Sequence, residues 1–418
     1  MEKIIVCLLF VFLALFPFGQ LTKIPLNFFN LPEVHLYLTD VVLFFLVLSW
    51  GVWGVLVTRK KYQLPPLAKP IFLFIALAGL SLAVNSPLFS GREVGVGFLY
   101  LLRWIFYAGL YFVLFDLKER LPWLKKGWFC FLIIIGSTVA VFGLIQYFLW
   151  PNLKALEVLQ YDPHFYRLVG TFLDPGFTGI ILVLTLILLV NYHGSCQVFS
   201  PKKTHKGSPF WGSPYTCHPL SFLLILFIYL ALALTYSRAS WLAFFVGMTV
   251  VAFYKKSFKL WLLVVGILAL TWIFIPQPVG EGGKLTRTYT IQSRFTNYSQ
   301  AWQIIREKPI LGIGFNTLRY YQRNKGLISP EEWQVNHAGA GLDNSWLFVL
   351  ATSGILGFLG YLGIWGKVIQ RVKRVKREKK VIILVSIGAL FVHSFFLNSL
   401  FYPWVMAWVW FLLATENN

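Results

Sequence analysis

The sequence predicts an all-α, polytopic membrane protein of about twelve transmembrane helices, and three observations carry that prediction. The chain is 57% hydrophobic and only 13% charged, about half the charged share of a soluble domain, with a mean hydropathy of +0.68. Apolar runs recur along it, separated by short polar connections. Lys and Arg gather in alternate connections, the pattern that orients membrane helices.

In order, the apolar runs lie near 4–19, 35–57, 70–84, 96–115, 127–149, 176–191, 219–235, 239–254, 259–275, 346–366, 381–400 and 403–414. Several fall short of the roughly 20 residues a straight helix needs to cross the hydrocarbon, so their centres are better defined than their ends. The first run ends in Phe16-Pro-Phe-Gly-Gln, which lacks the small residues of a cleavage site, and is expected to remain as an uncleaved helix.

The net charge is +21. With a cytoplasmic N-terminus, the connections facing the cytoplasm hold 23 of the 37 Lys and Arg and five of the 16 acids, among them Arg59–Lys61, Lys125, Lys126 and the run Lys367–Lys380. The opposite connections hold 13 basic residues against 11 acids, and Arg103 falls inside a run. This asymmetry predicts that both termini are cytoplasmic. The basic clusters are read as anchors on anionic lipid, so the bilayer is the expected partner and nucleic acid is not.

The chain is read as a single membrane domain, 1–418. Residues 276–345 form a large extracytoplasmic loop between the ninth and tenth runs, and 192–218 and 367–380 are cytoplasmic loops. Cys196, Cys217, His193, His205 and His218 lie in the 192–218 loop at spacings that fit no familiar zinc pattern, so no metal site is expected. The 276–345 loop carries eight Lys or Arg and five Asp or Glu; connections of this length are functional or unstructured. Phe295, Tyr298, Ala301, Trp302 and Ile305 recur at helical spacing, which predicts a short helix resting its apolar face on the bilayer and ending before Pro309.

Ionisable groups at the edge of the hydrocarbon are costly unless paired or facing a wet cavity. Arg238 sits in Thr235-Tyr-Ser-Arg238-Ala-Ser, a tight outer turn rich in hydroxyls: either a snorkelling side chain or an anion site. Arg167 and Asp174 flank Gly170 just before the sixth run, where Asp174 either starts a helix or belongs with Arg167 to a binding element. Arg103, inside the fourth run, either pairs with Asp40 or lines a cavity open to the outside. In the long loop, Arg294 opens the helical stretch, and His337 and Asp343-Asn344 lead into the tenth run, where a carboxylate caps a helix or accepts a proton. Gly354, Gly357, Gly360, Gly363 and Gly366 recur at strict threes, a spacing read as helix packing.

Together these elements resemble the O-antigen ligase and polymerase family of bacterial inner membranes. The resemblance rests on Ser237-Arg238, on Arg167…Gly170-Thr-Phe172-Leu-Asp174-Pro175, on Arg294, Trp302, Pro309, Gly312 and Gly314, and on Asp343-Asn344 followed by Gly354-Ile-Leu-Gly357. It is best over about 165–360 and only general before that. It implies transfer of a glycan from an undecaprenyl-diphosphate carrier to an acceptor hydroxyl, on lipid A-core for a ligase or on a second carrier-linked glycan for a polymerase. It also implies inversion at the anomeric carbon, no metal or other cofactor, and a site facing the periplasm. By the same resemblance Arg167 and Arg238 hold the diphosphate. Asp343 stands where family members usually carry a catalytic His, and His337 is the other choice for the base. Arg294, Asn344 and Arg103 are further candidates for substrate contact. A membrane transporter is the reading from another class, but the paired broken helices of transporters are not evident in the sequence.

Overall fold

A computed structural model of the chain describes residues 2–24, 34–54, 64–159, 164–191, 219–275, 289–328 and 342–414. These residues are nearly all helical. The helices are α1 Glu2–Leu15, α2 Leu38–Trp53, α3 Ala68–Asn85, α4 Gly91–Arg120, α5 Pro122–Leu149, α6 Pro175–Asn191, α7 Pro219–Leu234, α8 Arg238–Tyr254, α9 Phe258–Phe274, α10 Tyr289–Glu307, α11 Leu318–Asn324, α12 Ser345–Val372, α13 Arg377–Ser394 and α14 Pro403–Ala414. The one sheet among the described residues pairs β1 Lys23–Ile24 antiparallel with β2 Leu36–Tyr37.

Each apolar run falls on one of these helices. Among the described residues, five segments are long and apolar enough to cross a membrane: Glu2–Thr22, Ala68–Leu88, Gly91–Arg120, Gly127–Leu149 and Ser345–Val372. The last run differs from the others. All twelve residues of α14 are buried, and at 1.5 Å per residue it is about 18 Å long, short of a straight crossing. A helix apolar on every side belongs in an interior. Lys118 Nζ and Trp128 Nε1, from α4 and α5, donate to its last-turn carbonyls at Ala414 (2.6 Å) and Phe411 (3.0 Å).

Helix α12 is broken at Gly354, whose φ of 62° and ψ of −171° suit glycine alone. A break at membrane depth leaves backbone groups that must find partners within the protein. The segment Pro309–Gly314 supplies them: Ile313 N and Gly314 N donate to the carbonyls of Ala351 (3.1 Å) and Thr352 (3.0 Å), and Ile355 N and Leu356 N donate to Pro309 (2.8 Å) and Ile310 (3.2 Å). From α3, Ser81 Oγ donates to the Thr352 carbonyl at 2.8 Å and Asn85 Nδ2 to the Gly312 carbonyl at 3.0 Å. The loop is therefore stitched into the helix that follows it.

This docking corrects two sequence expectations. Within the glycine series, Gly354 makes the break and Gly360 lets α12 approach Phe74 and Leu77 of α3, whereas a side chain at Gly363 or Gly366 would meet nothing within 4 Å. The glycines thus do not form one continuous packing groove. Helix α10 covers the predicted helical stretch, but Ala301, Ile304 and Ile305 are buried on the side that packs against α12. Phe295 and Trp302 point outward, 70% and 49% exposed. Of the five stripe residues, Phe295 and Trp302 are the exposed ones that remain for contact with a bilayer.

Candidate active site

The site is assembled from the ends of helices that lie far apart in the chain. Helix α7 ends at Leu234, and the turn that follows places Ser237 as the cap of α8, its hydroxyl accepting from Ser240 N at 3.3 Å. Arg238 is the first helical residue after that cap, outside the apolar run 239–254. The segment before α6 runs alongside this turn, with Leu168 N donating to the Leu234 carbonyl at 2.9 Å. Arg167 is 5% exposed; its Nε donates to the Thr235 carbonyl (3.1 Å) and its Nη2 to that of Tyr236 (3.3 Å). Arg167 thus braces the turn that carries Arg238.

Gln146 of α5, not singled out in the sequence, holds the same segment. Its Oε1 accepts from Val169 N (2.9 Å) and Gly170 N (3.2 Å). Gly170 takes a φ of 59° at this bend, which costs glycine little. Asp174 Oδ1 accepts from Gly176 N and Phe177 N, both at 2.7 Å, so of the two sequence readings it fulfils the helix-starting one. Phe177 stacks on Tyr402 with ring centroids 3.7 Å apart, which brings the start of α14 to the same end of the bundle.

The third piece comes from the long loop. Arg294 of α10 lies with its Nε 4.0 Å from Asp343 Oδ2 and its guanidinium 5.8 Å from the Phe396 ring centroid. Arg294 is also within electrostatic reach of Arg238: burial first, and then this like charge, work against the Arg238 cation. An anionic group placed between them would favour both charged forms. Asp343 is 53% exposed at its side chain. Asn344 is buried and caps α12, its Oδ1 accepting from Trp346 N (2.9 Å) and Leu347 N (3.0 Å). Tyr298 hydroxyl donates to the carbonyls of Phe395 and, at 3.4 Å, Asp343. Burial is the main cause that pushes the Tyr298 phenol above its ordinary value, which keeps it a neutral donor.

The named residues therefore divide. Arg167, Arg238, Arg294, Asp343 and Asn344 belong to one connected region. His337 lies outside the described residues. Arg103 has other partners: its Nη2 donates to Asp40 Oδ2 at 2.9 Å and to the His35 carbonyl, with the rings of Tyr100 and Tyr37 at 4.9 and 5.6 Å. Asp40 Oδ1 in turn accepts from the Tyr107 hydroxyl at 3.0 Å. Of the two sequence readings of Arg103, the pairing with Asp40 is the one present.

Sequence reasoning also passed over His393, near the end of α13 and fully buried. Its Nε2 lies 3.2 Å from Ser240 Oγ and its Nδ1 2.6 Å from Ser399 Oγ. A histidine inside an apolar run is a signal the sequence did contain, but its partners lie 153 residues away at Ser240 and six away at Ser399.

A search among curated proteins returns no match. Residues 222–362 match the family model described as O-Antigen ligase. The match runs from α7 into α12 and takes in Arg238, Arg294, the Pro309–Gly314 segment and Asp343. Over this segment, which carries Arg238, Arg294 and Asp343 but not Arg167, the chain is similar to the O-Antigen ligase family.

Proposed function

We propose that the protein is an O-antigen ligase-like glycosyltransferase, moving a glycan from an undecaprenyl-diphosphate carrier to an acceptor hydroxyl on lipid A-core or a similar glycan. The observation that carries this reading is the gathering of Arg167, Arg238, Arg294 and Asp343 from separate stretches onto neighbouring helix ends. In this reading the chain is one bacterial inner-membrane domain of about twelve crossings, with both termini cytoplasmic and residues 276–345 in the periplasm. The distribution of Lys and Arg supports that orientation.

The chemistry asks for three things. The acceptor hydroxyl loses its proton to a base as its oxygen attacks the anomeric carbon. The bond from that carbon to the diphosphate oxygen breaks, and the carrier diphosphate leaves with the electron pair. Attack from the opposite side inverts the anomeric centre, and no metal is called for. Arg238 and Arg294 are assigned to the departing diphosphate, where a guanidinium stays charged and binds phosphate oxygens in a fork. Arg167 keeps the turn under Arg238 in place and adds its charge. Asp343, half-exposed at the mouth of α12, is the first choice for the base, and His337 the second.

Reconstituted protein supplied with an undecaprenyl-diphosphate glycan and either lipid A-core or a second carrier-linked glycan tests the reading. Extension of lipid A-core is the expected result. Extension of the carrier-linked chain alone would make the protein a polymerase of the same family, and no transfer to either acceptor would overturn the assignment.

A further inference from the structure

Resting on the transferase reading above, we propose that His393, outside the family-matched segment, is a positioning residue for the donor-binding end of the site. Its imidazole is the hub of a buried hydroxyl chain that ties the pieces of the site together. Ser240 Oγ, 3.2 Å from His393 Nε2, lies 2.9 Å from the Ser237 hydroxyl and 3.2 Å from the Gly176 carbonyl. Ser237 caps the helix that Arg238 begins, and Gly176 follows Asp174 by two residues. On the other side, Ser399 Oγ lies 2.6 Å from His393 Nδ1.

Either tautomer of the neutral imidazole closes the chain, one ring nitrogen donating to the hydroxyl beside it and the other accepting; with the proton on Nε2, His393 donates to Ser240 Oγ and Nδ1 accepts from Ser399 Oγ. A neutral imidazole completes this chain, and no other side chain of its size both donates and accepts from opposite edges of a ring.

The turn after His393 reaches the remaining pieces. Phe396 N and Leu397 N donate to the His393 carbonyl at 3.0 and 3.2 Å. The Leu397 carbonyl accepts from Ser345 Oγ (3.3 Å), and Leu400 N donates to that same hydroxyl (3.1 Å), next to Asn344 and Asp343. The Phe395 carbonyl holds Tyr298, and the Phe396 ring sits 5.8 Å from Arg294. Close approach reinforces the joint: a side chain at Gly179 would strike Ser240, and one at Gly176 would strike Leu397. The 393–400 turn and its histidine thus set the relative placement of Arg238, Arg294 and Asp343.

The test compares His393→Leu, His393→Gln and Ser240→Ala in proteoliposomes, with kcat and KM measured separately for undecaprenyl-diphosphate glycan and for acceptor. His393→Leu and Ser240→Ala are expected to lower kcat/KM for the donor about tenfold, the scale of one buried hydrogen bond left unmade, with acceptor KM unchanged. His393→Gln, whose amide can reach Ser240, should stay within about threefold of wild type, and the His393→Leu/Ser240→Ala double should be no worse than His393→Leu alone. If His393→Leu does not accumulate, Ser240→Ala, which removes one hydroxyl, decides. Unchanged donor kcat/KM in Ser240→Ala and His393→Leu, or losses that add in the double variant, would overturn the proposal while Arg238→Ala still abolishes transfer. Full activity in Arg238→Ala would instead overturn the transferase site, and this inference with it.

Discussion

Two groups of arginines lie within this helical bundle, and they differ in how their charge is answered. Arg103 meets Asp40 at 2.9 Å, with both side chains nearly buried, two tyrosine rings beside the cation, and a tyrosine hydroxyl on the second carboxylate oxygen. Cation and anion are matched one to one, and the region is closed. At the helix ends, among the described residues, three guanidiniums, Arg167, Arg238 and Arg294, gather with two carboxylates, Asp174 and Asp343. Asp174 spends an oxygen on capping α6, and Asp343 stands 4.0 Å from Arg294 and half-exposed. A buried arginine alone is therefore a poor sign of function. An excess of positive charge on helix ends, beside a water-accessible carboxylate, is a better one.

The contrast can be broken at its strongest point first. Arg238→Ala is expected to cut glycan transfer by about a thousandfold, the upper scale for losing one preorganised donor to developing negative charge, with normal accumulation in the membrane. Arg238→Lys should also lose most activity, because an ammonium lacks the fork. Transfer by proteoliposomes measures both, and a lysine variant as active as wild type would remove the bidentate assignment.

Arg103→Ala should act on stability instead. It leaves Asp40 buried without its cation, at a cost of about 3 kcal/mol, read as a lowered melting temperature in detergent. Replacing both partners with apolar residues, Arg103→Met with Asp40→Leu, should recover stability and keep transfer. A double variant that folds well but does not transfer would move Arg103 into the substrate site and erase the distinction drawn here.

For the base, Asp343→Asn is expected to slow transfer about a hundredfold and to change the shape of the pH–rate profile, with His337→Ala close to wild type. The reverse ranking would assign the base to His337.

The smallest effect lies at the outer edge of the loop. Glu307 accepts from Lys325 Nζ (2.8 Å) and from the Tyr321 hydroxyl (2.5 Å), and Lys325 first, then Tyr321, hold its carboxyl below the ordinary value of 4.5. A lowered folded-state value means the contribution is present above about pH 4.5 and is lost as the pH falls through the lowered value. Glu307→Gln should therefore speed amide exchange of α11 by no more than a few fold at neutral pH, without changing transfer. A large loss of transfer would mean that the edge of the loop belongs with the arginine site.

Much of the fold was legible because burial in lipid and burial in protein both demand apolar helices, so every run became one. The charged candidates were legible because hydrocarbon penalises them. Asp40 was legible as one of two readings of Arg103, but the partners of Arg167, Arg238 and Arg294 were not. The apolar run around Arg103 and the hydroxyl-rich turn around Arg238 each left two readings open; the choice is made by Asp40 and Tyr107 in the one case and by Arg294 and Asp343 in the other. Gly312 and Gly314 entered the sequence reading only through the family resemblance, and the role of this segment in completing α12 depends on contacts about forty residues away. The apolar stripe of α10 gave a helix correctly and its neighbour incorrectly, since a membrane and another helix ask for the same side chains. His393 was hidden for a similar reason: one polar residue in an apolar run has meaning only once Ser240 stands across from it.

The broken helix has a practical consequence for anyone building chimeras among these proteins. Because Pro309–Gly314 and Ala351–Leu356 share their main-chain hydrogen bonds, the two stretches must be exchanged together with Ser81 and Asn85, which fasten them from α3. A swap with a boundary between them would leave amides and carbonyls unmatched in an apolar setting. Such a hybrid would then fail from poor assembly, and its inactivity would say nothing about acceptor choice.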